Sequence, residues 1–394
     1  MKKIGLVIVT YGTNYGTFLQ AFATQQAVRS IGFDTEILDI NSVIEDVSRA
    51  RKKYFAKQIF NVSEVKSYSS VLKGMIWERI NSRYRDYLSN RRQFFAEFSK
   101  EHFCFAPKVD SWEALSEQCR KYDAILVGSD QLWRPANIAG DYYTLNYVPE
   151  EINKIAYATS FGLKEIRKNQ VQAAKKFLSR IQHLSVREHS GAQIIEELLG
   201  RKAPVICDPS MLLDRSQWSE YLDEKPLIDE KYILCYFLGD HPAHRNFARR
   251  LSKATGCIIV GVLHIAGYLS VDEDFADAVP RNIGPFEFLN LIKNASYICT
   301  DSFHGCLFSA LFEKEMFVFK RFSDDNSMST NDRIITLLSE LDLERRLLSG
   351  TESVGASVKD KIDYASVQEK IEAKRRAGFY YLSKALADEN TDLS

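Results

Sequence analysis

No stretch of this 394-residue sequence approaches the roughly 20 consecutive apolar residues that a membrane-spanning helix needs. Two lysines precede a short apolar run at residues 4–9, IGLVIV. The longer apolar region and small-residue cleavage site of a secretory leader do not follow it. Net charge is also missing, since 52 Lys and Arg balance 52 Asp and Glu, so no global field draws the chain to nucleic acid. Cysteines are few and isolated, at 104, 119, 207, 235, 257, 299 and 306. Their odd number and the lack of any CxxC suit reduced thiols better than a disulfide framework, and nothing in their spacing suggests a metal site. Reduced, buried thiols and a cytoplasmic location are expected. With nine prolines, no low-complexity tract and 45% hydrophobic residues, the chain is globular and long enough for two cores.

What is present is alternation. A β-rich run at 4–10, a polar loop at 11–17, an apolar helical pattern at 18–32 and a second run at 35–40 make an opening βαβ unit. Further strands are expected at 123–128, 154–160, 182–188 and 204–209, with helices around 164–181 and 190–200. A linker at 214–230 precedes a second alternation from 231 to 350, with strands near 231–239, 257–263, 296–302 and 316–320. The reading is therefore α/β: a first domain at 1–213, a second at 231–350, and a C-terminal helical segment at 351–394 returning to the first domain.

Residues 45–120 interrupt the first alternation with helical, aromatic and basic sequence. Between 49 and 100 stand thirteen Lys or Arg against four acids, about nine excess positive charges in a neutral chain. The plain reading is a solvated helical insertion. The sharper one is a peripheral contact with an anionic membrane surface.

In open α/β sheets ligands bind beyond the carboxyl ends of the strands, where helix N-termini favour anions. Those ends carry Asn14-Tyr15-Gly16-Thr17, Ser129-Asp130-Gln131, Ser160, Arg187 with Glu188, and Asp301-Ser302-Phe303-His304. Arg187 offers a planar fork suited to carboxylate or phosphate, with a surface pair to Glu188 as the plain alternative. A histidine opening a helix is placed to take a proton or donate a hydrogen bond. Lys320, Arg321 and Arg333 add cations after the last strand.

Taken in order, NYGT, GSDQLW, YATSFG, SVRE, CDPSMLL, TDSFHG and NDRI resemble the motifs of the polysaccharide pyruvyl transferase family, over residues 4 to 340. The resemblance implies two Rossmann-like domains facing across a cleft, as in GT-B glycosyltransferases. It implies that phosphoenolpyruvate is the donor, that two hydroxyls of one sugar become a cyclic pyruvate ketal, and that phosphate is released. It also implies a glycan acceptor, often lipid-linked, in capsule, exopolysaccharide or cell-wall synthesis. No cofactor is implied beyond phosphoenolpyruvate as co-substrate. His304 and Asp130 are the candidates for proton transfer. Asn14, Tyr15, Gly16, Thr17, Ser129, Gln131, Ser160, Arg187, Ser302, Lys320, Arg321 and Arg333 are the candidates for substrate binding. Some members carry Arg two places before the motif histidine and a Lys after the next strand. Here Ser302 stands at the first position, and Lys320 or Arg321 at the second. A nucleotide-sugar glycosyltransferase and a non-catalytic glycan-binding protein are the competing readings.

Overall fold

The computed structural model describes residues 2–57, 76–263, 269–272, 274–322 and 331–388. Phe60, Lys66 and Lys73 of the basic insertion lie outside them. The first sheet is parallel throughout: β1 (Lys3–Val7), β2 (Asp34–Ile37), β3 (Ala124–Val127), β4 (Asn153–Thr159) and β5 (His183–Val186), in the order β2-β1-β3-β4-β5. The second holds β6 (Tyr232–Tyr236), β7 (Ile258–Gly261), β8 (Tyr297–Thr300), β9 (Met316–Phe319) and β10 (Leu347–Leu348), in the order β10-β9-β8-β6-β7. Helices cover both faces, so these strands read as continuous apolar runs; Ile4, Leu6 and Val7 are all fully buried. The architecture is the expected one, two Rossmann-like domains facing across a cleft.

Both sheets are wired alike. Each domain's first strand lies between its second and third, so the winding reverses between β1 and β3 and again between β6 and β8. Those two reversals open crevices at the carboxyl ends of the strands, where ligands of open α/β sheets bind.

Residues 204–209 do not form the expected strand. Only Val205 pairs, by a single bridge to Val186. Pro204 and Pro209 lack the N–H groups that a ladder needs, and the segment turns into the 3-10 helix Pro209–Met211. β10, two residues long, was not legible in the sequence.

The helix Tyr15–Ser30 is buried nearly all round, which explains its apolar sequence on every face. It lies between the domains. Phe22 packs on Trp218 and Phe286, with ring centroids 5.8 and 5.4 Å away. The insertion contributes the helices Ile44–Ala56, Ser82–His102 and Trp112–Cys119. Its aromatics belong partly to the core: Phe95 and Phe98 meet Phe18 at 4.7 and 6.1 Å. The late helix Tyr364–Leu386 packs on β4 of the first domain. Tyr381 Oη donates to Ala156 O at 3.0 Å, and Asn153 Nδ2 donates to Ala385 O at 3.0 Å.

Candidate active site

The first domain's wall begins at the end of β1. Asn14 Oδ1 accepts from Thr17 N at 3.2 Å and so starts the helix Tyr15–Ser30. Tyr15 turns toward the second domain and stacks on Phe288 at 4.5 Å. At Gly16 a side chain has no room: a Cβ would fall 2.1 Å from the His304 ring. Thr17 Oγ1 donates to Asp130 Oδ2 at 2.7 Å.

After β3, Ser129 Oγ donates to Asp208 Oδ2 at 3.0 Å. Asp130 sits at φ 76°, in the left-handed region, held there by two backbone bonds. Its carbonyl accepts from Leu132 N at 2.8 Å and Ser160 N at 2.9 Å. Such strain in a non-glycine residue persists only where the surroundings over-determine it. Gln131 lies against Gly162, whose φ is 63° and where a Cβ would fall 2.5 Å from Gln131 Nε2.

Arg187 is not in a surface pair with Glu188. Both are buried, and Arg187 reaches across to other carboxylates. Its Nη1 donates to Asp208 Oδ2 at 2.6 Å and its Nη2 to Asp130 Oδ1 at 3.5 Å. Asp208 also accepts at Oδ1 from Ser210 N at 3.0 Å. Glu188 Oε1 instead accepts from Ser160 Oγ at 2.7 Å.

The second domain supplies the opposite wall. Ser302 caps the helix Phe303–Leu311, its Oγ accepting from Gly305 N at 3.3 Å. Asp301 turns the other way and accepts from Leu238 N and Gly239 N at 2.5 and 2.9 Å. The Phe303 ring lies close to two guanidinium groups, Arg187 at 4.5 Å and Arg333 at 5.8 Å. His304 Nε2 stands 3.6 Å from Asp208 Oδ2, and Arg333 Nη1 stands 3.9 Å from Asp130 Oδ1. A further bond across the seam runs from Ser190 Oγ to Asp332 Oδ2 at 2.7 Å.

Burial alone would raise every carboxyl here, and the neighbours decide which ones escape. For Asp208, the His304 imidazole and Arg187 outweigh burial and hold it well below the usual carboxylate range. For Asp130, burial is outweighed by Arg187, His304 and Arg333, so it too is lowered. Glu188 and Asp301 lack enough compensation, and burial leaves both raised. Arg333 is pushed down to about 9, first by burial and then by the like charge of Arg187. Among the described residues, Gln131 Nε2, Arg187 Nε, Glu188 Oε2, His304 Nε2 and Arg333 Nε are buried in this junction without a hydrogen-bond partner.

The fold thus gathers Gly16, Thr17, Ser129, Asp130, Arg187, His304 and Arg333 into one cluster, with Gln131 and Ser160 on its flank. Asn14 and Ser302 cap helices, and Tyr15 lies in an aromatic stack. Lys320 and Arg321 follow β9, where Arg321 N donates to Asn331 Oδ1 at 3.1 Å and Arg321 acts on Asp301. Sequence reasoning gave no role to Asp208 or Phe303 and left Glu188 on the surface. Asp208 had a signal, a carboxylate next to Pro209 after an apolar run; the ring of Phe303 close to two arginines had none. Among the described residues no group of three or more His, Cys, Asp or Glu is arranged to hold a metal ion.

The family model described as polysaccharide pyruvyl transferase matches residues 14–321. No curated protein sequence matches the chain. Among solved structures, a putative UDP-N-acetylglucosamine 2-epimerase from Listeria monocytogenes superposes with a TM-score of 0.53 at 9% identity, covering 99% of this chain and 98% of that one. The S. aureus MnaA–UDP co-structure gives a TM-score of 0.50 at 13% identity, over 100% of both chains. At such identities the likeness is one of fold.

Proposed function

The chain belongs to the polysaccharide pyruvyl transferase family, and from that premise we propose that it moves the pyruvate unit of phosphoenolpyruvate onto two hydroxyls of a glycan sugar. One hydroxyl adds to the enol carbon while the methylene carbon takes a proton. The second hydroxyl then displaces phosphate, closing the cyclic ketal. The products are the ketal and inorganic phosphate.

The observation that supports this reading is the set of unused buried donors on Arg187, Arg333 and Gln131, where the domains meet. A donor substrate with a carboxylate and a phosphate supplies the acceptor oxygens they lack. Arg333 carries the least compensated charge of the cluster and is assigned to that anion. Arg187, already bonded to two aspartates, orients them.

His304 is assigned to proton transfer, with Asp208 behind it as the orienting carboxylate. Asp130 is lowered by Arg187, His304 and Arg333 and is a poor proton acceptor, so its role is to hold Arg187, Arg333 and Thr17 in register. These side chains bring the reacting groups together and place charge where the transition state needs it.

A lipid-linked acceptor at the inner face of the membrane fits the exposed cations of the insertion. Among its described residues, four of the cations are paired or buried. Arg49 pairs with Asp46, Arg51 turns inward to Asn137 at 2.8 Å, Arg91 is buried and Arg92 pairs with Glu78. Lys52, Lys53 and Lys57 are exposed on one short helix and its end, and Arg79, Arg85 and Lys100 are exposed elsewhere on the insertion. No helix among the described residues is long and apolar enough to cross a membrane.

The decisive experiment incubates the purified chain with phosphoenolpyruvate and a panel of glycans. Phosphate release with an acceptor mass gain of one pyruvate less one water supports the proposal. The competing reading, a nucleotide-sugar enzyme, draws on the UDP named in the S. aureus co-structure. Thermal stabilisation by UDP-sugars and none by phosphoenolpyruvate would replace the first reading with the second.

A further inference from the structure

Arg91 was one charge among thirteen in the basic insertion. In the fold it is 1% exposed and lies in the seam between the domains. Its Nε donates to Thr13 O at 3.1 Å, on the loop after β1. Its Nη1 donates to Leu263 O at 3.2 Å, just past β7, and to Tyr87 Oη at 3.0 Å. The guanidinium lies 4.2 Å from the centroid of the Tyr15 ring. The groups that act most strongly on its charge are the phenols of Tyr15, Tyr87 and Tyr236, with no carboxylate among them.

This arrangement is unlike the other buried arginines of the site. Arg187 has two aspartates at hand and Arg333 has one. A guanidinium stays protonated in proteins, so it cannot escape burial by losing its charge. A buried cation without an anion is costly unless something supplies one. Arg91 also keeps one donor unused, Nη2, and close by the Tyr236 hydroxyl is buried and equally unpartnered. Both side chains touch Tyr15, whose ring centroid is 6.1 Å from that of Tyr236. Tyr236 ends β6, at the reversal point of the second sheet, and the Thr13 loop follows β1 at the reversal point of the first. Carbonyl bonds and ring stacking explain a strut between domains. They do not explain an unused cationic donor beside an unused hydroxyl in the crevice where such folds bind ligands.

We propose that Arg91 Nη2 and Tyr236 Oη form an anion subsite in the interdomain crevice, taking a carboxylate or phosphate oxygen of the substrate. Resting on the phosphoenolpyruvate reading, the subsite holds one end of the donor while Arg333 holds the other.

The test is titration calorimetry on the full chain with inorganic phosphate, pyruvate, phosphoenolpyruvate and UDP-N-acetylglucosamine. Variants are Tyr236→Phe, which removes only a hydroxyl, with Arg91→Lys and Arg91→Met. Phosphoenolpyruvate affinity is expected to fall about tenfold or more in Arg91→Met, severalfold in Tyr236→Phe, and less in Arg91→Lys. A matching loss for phosphate alone, or for pyruvate alone, supports the subsite and identifies the end it holds. If the wild type binds only the UDP-sugar and Tyr236→Phe and Arg91→Met weaken that, the subsite stands and the phosphoenolpyruvate reading fails. If phosphoenolpyruvate is turned over with an unchanged KM in folded Tyr236→Phe and Arg91→Met, the subsite is wrong and the functional reading survives. A lower melting temperature in Arg91→Met with every anion affinity intact makes Arg91 a strut, and a wild type that binds none of the four anions also overturns the subsite.

Discussion

Gly16 of the first domain and His304 of the second touch so closely that a methyl group on Gly16 would fall 2.1 Å from the imidazole. Neither motif predicts the other, yet each sets the other's size. Gly16→Ala is therefore expected to force the histidine off its position or the domains apart. The overpacking cost is about 1–3 kcal/mol, and turnover should fall far more than that loss of stability would explain. Turnover close to wild type in a normally melting Gly16→Ala protein would show that the ring moves aside freely.

His304→Gln keeps a polar side chain of similar reach but cannot shuttle a proton. It is expected to melt near the wild-type temperature and to lose about a hundredfold or more in turnover. Donor affinity should change much less. Retention of most of the activity would remove His304 from the chemistry.

Arg187 and Asp208 bond at 2.6 Å with both side chains essentially out of solvent. Breaking such a pair from one side leaves a buried, uncompensated charge, at about 3–5 kcal/mol. Arg187→Met and Asp208→Asn should each destabilise the chain on that scale. The double variant should cost clearly less than the sum, as denaturant unfolding can measure. Strict additivity would mean that the two charges are independently solvated.

Glu188 gives stability an unusual pH limb. Its folded value is raised by burial, so its contribution is complete below the unfolded value of about 4.3 and is lost as pH rises through the folded one. Glu188→Gln should thus gain stability relative to wild type as pH increases across that window. Asp208 and Asp130 act in the opposite sense. They are lowered, so their contribution is present above about 3.9 and fades as the solution is acidified below it. Melting curves from pH 4 to 8 decide the Glu188 limb, and a Glu188→Gln protein that loses stability relative to wild type as pH rises would contradict it.

Replacing Lys52, Lys53 and Lys57 together with Gln should weaken co-sedimentation with anionic vesicles by up to about a hundredfold at low salt, with little effect at high salt. Turnover of a short soluble acceptor should not change. Equal binding of wild type to neutral and anionic vesicles would make this helix an ordinary solvated face.

The strands were legible because buried parallel strands announce themselves as short apolar runs, and the loops after them because Asn14, Gly16 and Ser302 are turn and cap residues. The seven motif segments therefore fell at the ends of real elements. What could not be read were partnerships across long separations. Arg187 looked like a partner for its neighbour Glu188, whereas its nearest acid lies twenty-one positions away on a segment expected to be a strand. Arg91 could not be told from the lysines around it, because nothing local separates a cation that faces solvent from one that faces a domain seam. The 204–209 segment misled for a simpler reason: its apolar residues suit a strand, but two prolines deny it the bonds.

The helix Tyr364–Leu386 has a consequence for how the protein is made. It lies against β4, with Tyr157 Oη at the spot where a Gly378 side chain would be, 2.6 Å from that Cβ position. A sheet assembled from the first half of the message is thus clad by a helix translated after the whole second domain. During synthesis the first domain leaves the ribosome with the β4 part of one face uncovered, and the second domain must be translated before that part is covered. Clearance by chaperones or proteases would therefore favour truncated chains, whose early half lacks the helix that covers its sheet.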